Sequence, residues 1–317
     1  MKTVDEIVFS AVLEWLGAGE TCWLCTIVKT VGASPRPLGS LMGVSQQGEL
    51  IGSLSGGCIE DDLLERVRAG ELASDKVVVH PYGVTAEENE RLGLPCGGRL
   101  EVLIESLSED HREAIAEIVD ALQNRRCIRR QVNLVNGAWQ LSPLARIESL
   151  HLGDNMLSQD FGPRLHLLLV GANELARCIS ELATAMDYAV TVCDPRRDRI
   201  DQFAVSGVAT VCAMPDDVVR ERASDSHSLV ITLTHDPRID DMALMEALQS
   251  EACYVGALGS ERTSAKRRER LLLLDLSEAD IGRLHAPVGL PIGSKSAMEI
   301  AVAIMAELVQ LKAQRKI

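Results

Sequence analysis

The chain has 317 residues, enough for two domains of ordinary size, and its 46% hydrophobic and 25% charged content is that of globular protein. Its 32 Lys and Arg stand against 46 Asp and Glu, a formal charge of −14 that argues against nucleic acid and anionic membrane as partners. No apolar run approaches the roughly 18 residues of a membrane span, the N-terminus does not read as a signal peptide, and nine cysteines without framework spacing fit a reducing cytoplasm.

Val4 to Leu16 reads as an amphipathic helix and Cys22 to Thr30 as a strand. Cys22 and Cys25 form a CxxC on paper, but residues three apart on a strand point to opposite faces. Gly32 to Ser40 is a Pro- and Gly-rich loop in which Arg36 is held between Pro35 and Pro37. There it either faces an anion or belongs to a solvated turn. Leu41 to Val44 and Glu49 to Ile51 suggest a hairpin, which leads into Gly52-Ser53-Leu54-Ser55-Gly56-Gly57-Cys58-Ile59-Glu60. A helix from Ile59 to Arg68 follows.

That stretch places two hydroxyls, a glycine pair and a thiol where a strand hands over to a helix. Glycines let backbone N–H groups approach a ligand, and a helix N-terminus favours an anion. Cys58 at this position is either an activated thiol and soft-metal ligand or a small buried residue. Glu60, Asp61 and Asp62 stabilise the helix dipole but oppose a thiolate. Lys76 to His80 reads as a strand, and Pro81 to Leu94 as a polar loop or short helix. Cys96-Gly97-Gly98, a second cysteine beside a glycine pair, precedes a strand from Arg99 to Ile104.

Ser108 to Gln123 is helical, and Cys127 to Leu141 is a hairpin turning at Asn136-Gly137. The first domain is set at 1–150 and a linker at 151–164, where periodicity is lost. From Leu165 to the C-terminus, strands alternate with helices, as in a parallel doubly wound sheet. Leu165 to Val170 leads into Gly171-Ala172-Asn173-Glu174-Leu175-Ala176 and a helix, and Ala189 to Cys193 ends in Asp194. This is the start of a dinucleotide-binding fold, except that Asn173 stands where the second glycine normally admits a pyrophosphate. His235, after the strand Leu229 to Thr234, is either an acid–base group or a loop residue. Gly256 and Gly259 lie at the C-terminal end of the strand at Cys253 to Val255. Lys266, Arg267, Arg268 and Arg270 read as a solvated helix face, His285 to Gly293 as a loop, and Ser294 to Leu311 as a closing amphipathic helix.

These motifs, in this order, resemble the XdhC/CoxI family, accessory proteins of xanthine dehydrogenase and related molybdenum hydroxylases. The resemblance rests on Ala33 to Pro37 with Gly39, on Gly52 to Glu60 and on Cys96 to Gly98. In the second half it rests on Thr234-His235-Asp236, Tyr254 to Ser260, and His285 to Leu290 with Ile292-Gly293. It implies an N-terminal α+β domain carrying the S-G-G-C turn, then a Rossmann-like domain with a mostly parallel sheet.

The resemblance also implies what such a chain does. It would bind the molybdenum cofactor, as molybdopterin or its cytidine dinucleotide form, support its sulfuration by a cysteine desulfurase, and pass it to an apo molybdenum hydroxylase. The implied contacts are Arg36, Ser53, Ser55, Gly56, Gly57, Cys58 and Glu60, with Cys96, Gly97 and Gly98, which either face that turn across a pocket or simply make tight turns. Cys58 is the implied metal ligand. In the second domain they are Gly171, Asn173, Asp194, His235, Gly256 and Gly259. A homodimer in the cytoplasm is expected. The alternative is a nucleotide-dependent oxidoreductase using NAD(P) or another nucleotide, which Asn173 disfavours.

Overall fold

The computed structural model describes residues 3–32, 36–72, 77–91, 99–145 and 147–314. The chain divides into two compact units, Lys2–Pro163 and Arg164–Ile317.

The first unit opens with α1 (Val4–Gly17), capped by Thr3, whose hydroxyl accepts from the Glu6 amide at 3.0 Å. Then come β1 (Cys22–Val31), β2 (Leu41–Ser45), β3 (Leu50–Gly52), α2 (Cys58–Arg68), β4 (Val77–Tyr82), α3 (Ala86–Arg91) and β5 (Arg99–Leu107). The strands form an antiparallel sheet in the order β3-β2-β1-β5-β4. Alternation along β1 sorts its side chains. Cys22 and Leu24 pack with α1 and with α4 (Arg112–Gln123), while Trp23, Cys25 and Ile27 pack with Ile59 and Leu63 of α2. Cys22 and Cys25 thus belong to different cores. Burial pushes the Cys22 thiol up to about 12 and the Cys25 thiol higher still. Ile59 and Leu63 are fully buried, which holds α2 on the sheet by roughly 1.5–3 kcal/mol each.

β4 runs through Pro81 to Tyr82, further than the Pro81 boundary read from sequence. It is an edge strand, where a missing N–H costs no ladder bond. A second antiparallel sheet, ordered β7-β6-β9-β8, comprises β6 (Cys127–Asn133), β7 (Trp139–Leu144), β8 (His151–Leu152) and β9 (Met156–Phe161). Most of the stretch read as a linker, 151–164, is therefore sheet, with β9 paired along the length of β6.

The second unit contains β10 (His166–Val170), α5 (Glu174–Ala185), β11 (Ala189–Cys193), α6 (Arg197–Gln202), β12 (Ala209–Val211), α7 (Pro215–Arg222), β13 (Ser228–Thr232) and α8 (Pro237–Gln249). It ends with β14 (Tyr254–Ala257), α9 (Glu261–Leu272), α10 (Glu278–Gly282), β15 (Leu284–His285) and α11 (Ala297–Ala313). Its strands are all parallel and ordered β12-β11-β10-β13-β14-β15. Numbered within the unit, this is the 3-2-1-4-5-6 order of a Rossmann sheet. Leu167 and Leu169 of β10 face α5 and α11, whereas Leu168 and Val170 face α7 and α8. Both sheet faces are covered, as a parallel sheet requires.

Candidate functional site

The antiparallel sheet of the first unit brings the sequence-predicted stretches to one end. β3 finishes at Gly52 beside Met42, and the Ser53 amide donates to the Leu41 carbonyl at 3.2 Å. β1 finishes at Val31 opposite Arg99, where β5 begins. The loop from β1 to β2, the turn from β3 to α2 and the entry to β5 therefore lie toward the same end of the sheet, with Gly52 level with Cys25 of β1 and the entry to β5 level with Val31. Cys96, Gly97 and Gly98 precede that entry but lie outside the described residues. Gly52 has φ of +91°, and a Cβ there would stand 2.3 Å from the Leu41 carbonyl oxygen, so only glycine fits the handover.

Beyond Gly52 the chain wraps around one carboxylate. Glu60 Oε1 accepts from the Ser53 hydroxyl (3.0 Å) and from the amides of Leu54 (2.8 Å), Ser55 (2.8 Å) and Gly56 (2.9 Å). Its Oε2 accepts from the Gly57 amide (2.9 Å) and the Ser55 hydroxyl. The amides and hydroxyls expected to receive a ligand oxyanion thus donate to the protein's own Glu60. Burial alone would raise the Glu60 carboxyl, but the bonds from Ser55 and Gly56 outweigh it and hold the group well below the usual carboxylate range. The sequence carries a signal for this: Glu60 is the third residue of α2, the position from which a capping carboxylate reaches back to the helix N-cap.

Leu54, fully buried beneath the turn, fixes it to the core. Gly56 and Gly57 face outward, and a Cβ on either would meet nothing within 4 Å. Cys58 opens α2 immediately after them, and its side chain is not among those described. Among the described residues, no group of three or more His, Cys, Asp or Glu is placed to hold a metal.

Arg36 is exposed in the loop between β1 and β2, whose Ala33 to Pro35 portion lies outside the described residues. The loop is anchored at Gly39, whose amide donates to Ile27 O (2.8 Å) and whose carbonyl accepts from Gln159 Nε2 (2.9 Å). Gln159 in turn accepts from Arg130 Nη2 (2.9 Å). Arg130 is fully buried, pairs with Glu105 at 2.9 Å and lies 4.4 Å from the centre of the Trp139 ring. The Trp139 indole donates to the same Glu105 at 2.7 Å. This ion-paired core under the loop leaves no periodic mark in the sequence.

In the second unit, the switch point between β10 and β13 is filled by the protein's own side chains. Gly171 (φ +111°) packs so closely on Thr234 that a Cβ would lie 2.8 Å from its methyl. Asn173 caps α5, with Oδ1 accepting from the Ala176 amide (3.0 Å) and Nδ2 donating to Leu233 O (2.8 Å). Asp194, at the spacing of the acidic residue of a dinucleotide fold, is fully buried. It accepts from the Ala172 amide and from Arg196 through Nε, Nη2 and the backbone N–H, all at 2.8–3.0 Å. Against the effect of burial, these bonds hold its carboxyl below the ordinary range.

His235 is exposed just past β13. Gly256 lies within β14, where a Cβ would crowd the Tyr254 ring and Val288 at 2.9 Å. Gly259 adjoins Ser260, the cap of α9. The structure does not bring Gly256 to the phosphate turn at Gly171, since β14 is separated from β10 by β13.

Lys266 is exposed, as read from sequence, but the arginines of the α9 cation run are not a solvated face. Arg267 is 4% exposed and pairs with buried Asp240 at 3.0 Å, Arg268 donates to the carbonyls of Ile281, Leu284 and Ala286, and Arg270 grips Asp241 with two bonds. Burial pushes the Asp240 carboxyl up to about 6 even with Arg267 opposing it. His285, read from sequence as the start of a loop, ends β15, and its Nδ1 lies 2.8 Å from Glu307 Oε1 on α11.

Comparison with known proteins fits this architecture. The model of the XdhC and CoxI family matches residues 15–83, and that of the XdhC Rossmann domain matches residues 167–308. A probable xanthine dehydrogenase subunit of Bacillus subtilis (strain 168) is 27% identical, with 92% of this chain and 94% of that protein covered. The molybdenum cofactor insertion chaperone PaoD of Escherichia coli (strain K12) is also 27% identical, over 95% of this chain and 86% of PaoD. A crystal structure described as a xanthine dehydrogenase from Bacillus halodurans shares the fold, with a TM-score of 0.73 and 24% identity over 99% of this chain and 97% of that one. With both halves matched by their own family models and the same order of domains in the fold, the chain belongs to the XdhC/CoxI family.

Proposed function

We propose that this chain is an accessory chaperone. It binds the molybdenum cofactor, as molybdopterin or its cytidine dinucleotide form, shields it during sulfuration by a cysteine desulfurase, and inserts it into an apo molybdenum hydroxylase of the xanthine dehydrogenase type. The observation that carries this reading is that the loop with Arg36 and the turn with Cys58 leave the antiparallel sheet toward the same end. The chaperone name carried by PaoD, similar over nearly the whole chain, supports it.

The donor chemistry fits the group. A cofactor with a soft metal–sulfur end and a phosphate end asks for a thiol and a cation. Cys58 stands at the helix start for the first, and Arg36 for the second. Bound there, the cofactor supplies the molybdenum centre that the recipient enzyme uses for its redox chemistry. Gly56 and Gly57 present bare backbone beside Cys58, and a Cβ on either would meet nothing within 4 Å, which leaves room for a ligand to approach the backbone. Gln159 and Arg130 anchor the loop that carries Arg36.

The Rossmann unit is assigned a structural and docking role. Asn173 and Asp194, the groups that would receive a dinucleotide, are already bonded within the protein. The working form is taken to be a cytoplasmic homodimer. Purification from a host that makes the cofactor, followed by metal and pterin analysis, tests the reading. Molybdenum and pterin should co-purify with the protein in equal amounts, and their absence would sink it.

A further inference from the structure

The Glu60 carboxylate gathers six donors, four of them amides, from five consecutive residues. Such a nest of N–H groups at a helix start is what binds phosphate or sulfate in other proteins. Here a tethered anion, 7% exposed, sits in it. Asp61, next in α2, adds a further negative charge. An external oxyanion entering the turn would find these six donors already engaged by Glu60 and would stand against its carboxylate.

We propose that Glu60 sets the specificity of the turn by excluding free oxyanions from it. The turn is left to engage the metal–sulfur end of the cofactor through Cys58 and the open backbone of Gly56 and Gly57. The inference rests on the chaperone reading for the identity of the cofactor, but the exclusion is a property of this chain alone. Glu60 is accordingly a positioning residue rather than a ligand. It shapes the backbone from Ser53 to Gly57 from within, while fully buried Leu54 prevents the turn from lifting to admit a second anion. The phosphate end of the cofactor must then be held away from the amides of this turn, and the Arg36 loop at the same end of the sheet supplies a cation for it.

The test uses inorganic sulfate as probe and needs no cofactor. Wild type and Glu60→Ala, both full length and freed of cofactor, are titrated with sodium sulfate by calorimetry at constant ionic strength. Alkylation of Cys58 by iodoacetamide is followed in parallel by mass spectrometry. Wild type should show no saturable heat and no change in the Cys58 alkylation rate. Glu60→Ala empties the nest, so it should bind sulfate at least about tenfold more tightly than wild type, with slowed alkylation. Saturable sulfate binding by wild type that slows Cys58 alkylation overturns the proposal, and this arm stands even if Glu60→Ala does not fold. A folded Glu60→Ala that binds no sulfate also overturns it, because Glu60 would then not be what excludes the anion. Both results are independent of whether the protein carries molybdenum, so failure here and failure of the chaperone reading are separable.

Discussion

Replacing Asn173 with glycine restores the residue type that a dinucleotide turn carries at this position, and the structure sets what should follow. Two bonds are lost: the cap accepted from Ala176 at 3.0 Å and the Nδ2 donation to Leu233 O at 2.8 Å. An Asn-to-Gly cap change costs a few tenths of a kcal/mol. The second bond is worth about 1 kcal/mol. A total near 1.3 kcal/mol lowers the melting temperature by about 3–5 °C for a domain of this size. Nucleotide binding should nevertheless stay weak, because Asp194 remains gripped by Arg196 and the Ala172 amide. Only the double variant Asn173→Gly, Arg196→Ala should gain measurable affinity for NAD. Calorimetry with NAD, NADP, ATP and cytidine nucleotides is the assay. A submicromolar constant for wild type with any of them, about −8 kcal/mol or tighter, would refute the claim that this crevice is closed by its own side chains.

Arg36→Lys keeps the charge but removes the planar fork, so cofactor retention should fall while the melting temperature holds; unchanged retention would return Arg36 to the role of a solvated turn residue. Arg130→Met strands buried Glu105 without its cation and should destabilise the first unit by about 3–5 kcal/mol, read by urea unfolding. Adding Glu105→Leu should recover a good part of that loss, and a double variant no better than the single would place the cost in packing rather than in charge.

Local signals were the legible ones. The second unit reads from sequence because buried parallel strands are continuous apolar runs, as in Leu167 to Val170, and because Gly171 and Asp194 sit at the spacing of a first βαβ unit. The helix after Gly57 announces itself through its glycines and its acidic first turn. What is hidden depends on partners distant in sequence. Arg267 belongs to a run of cations that looks solvated, and only its meeting with Asp240, 27 residues away, makes burial tolerable. Arg130 is invisible for the same reason, its partner Glu105 lying on another sheet. β8 and β9 escape notice because β8 has two residues and β9 mixes Ser158, Gln159 and Asp160 among its apolar positions. The case of Glu60 differs. The capping position was readable, but that one carboxylate would take six donors depends on a backbone that curls around it, which no residue pattern specifies.

The chaperone reading stands or falls with the thiol of Cys58, and Cys58→Ser is its measurement. The variant and wild type are produced in a host that makes the molybdenum cofactor and analysed at once for molybdenum and pterin. Circular dichroism and melting temperature confirm folding, and activation of an apo molybdenum hydroxylase gives the functional readout. The substitution changes volume little but exchanges a soft sulfur for a hard hydroxyl. The expected result is a folded variant that carries far less cofactor and fails to activate the apo-enzyme, beside a loaded and active wild type. A folded Cys58→Ser that retains cofactor and activates the hydroxylase as well as wild type would contradict the reading.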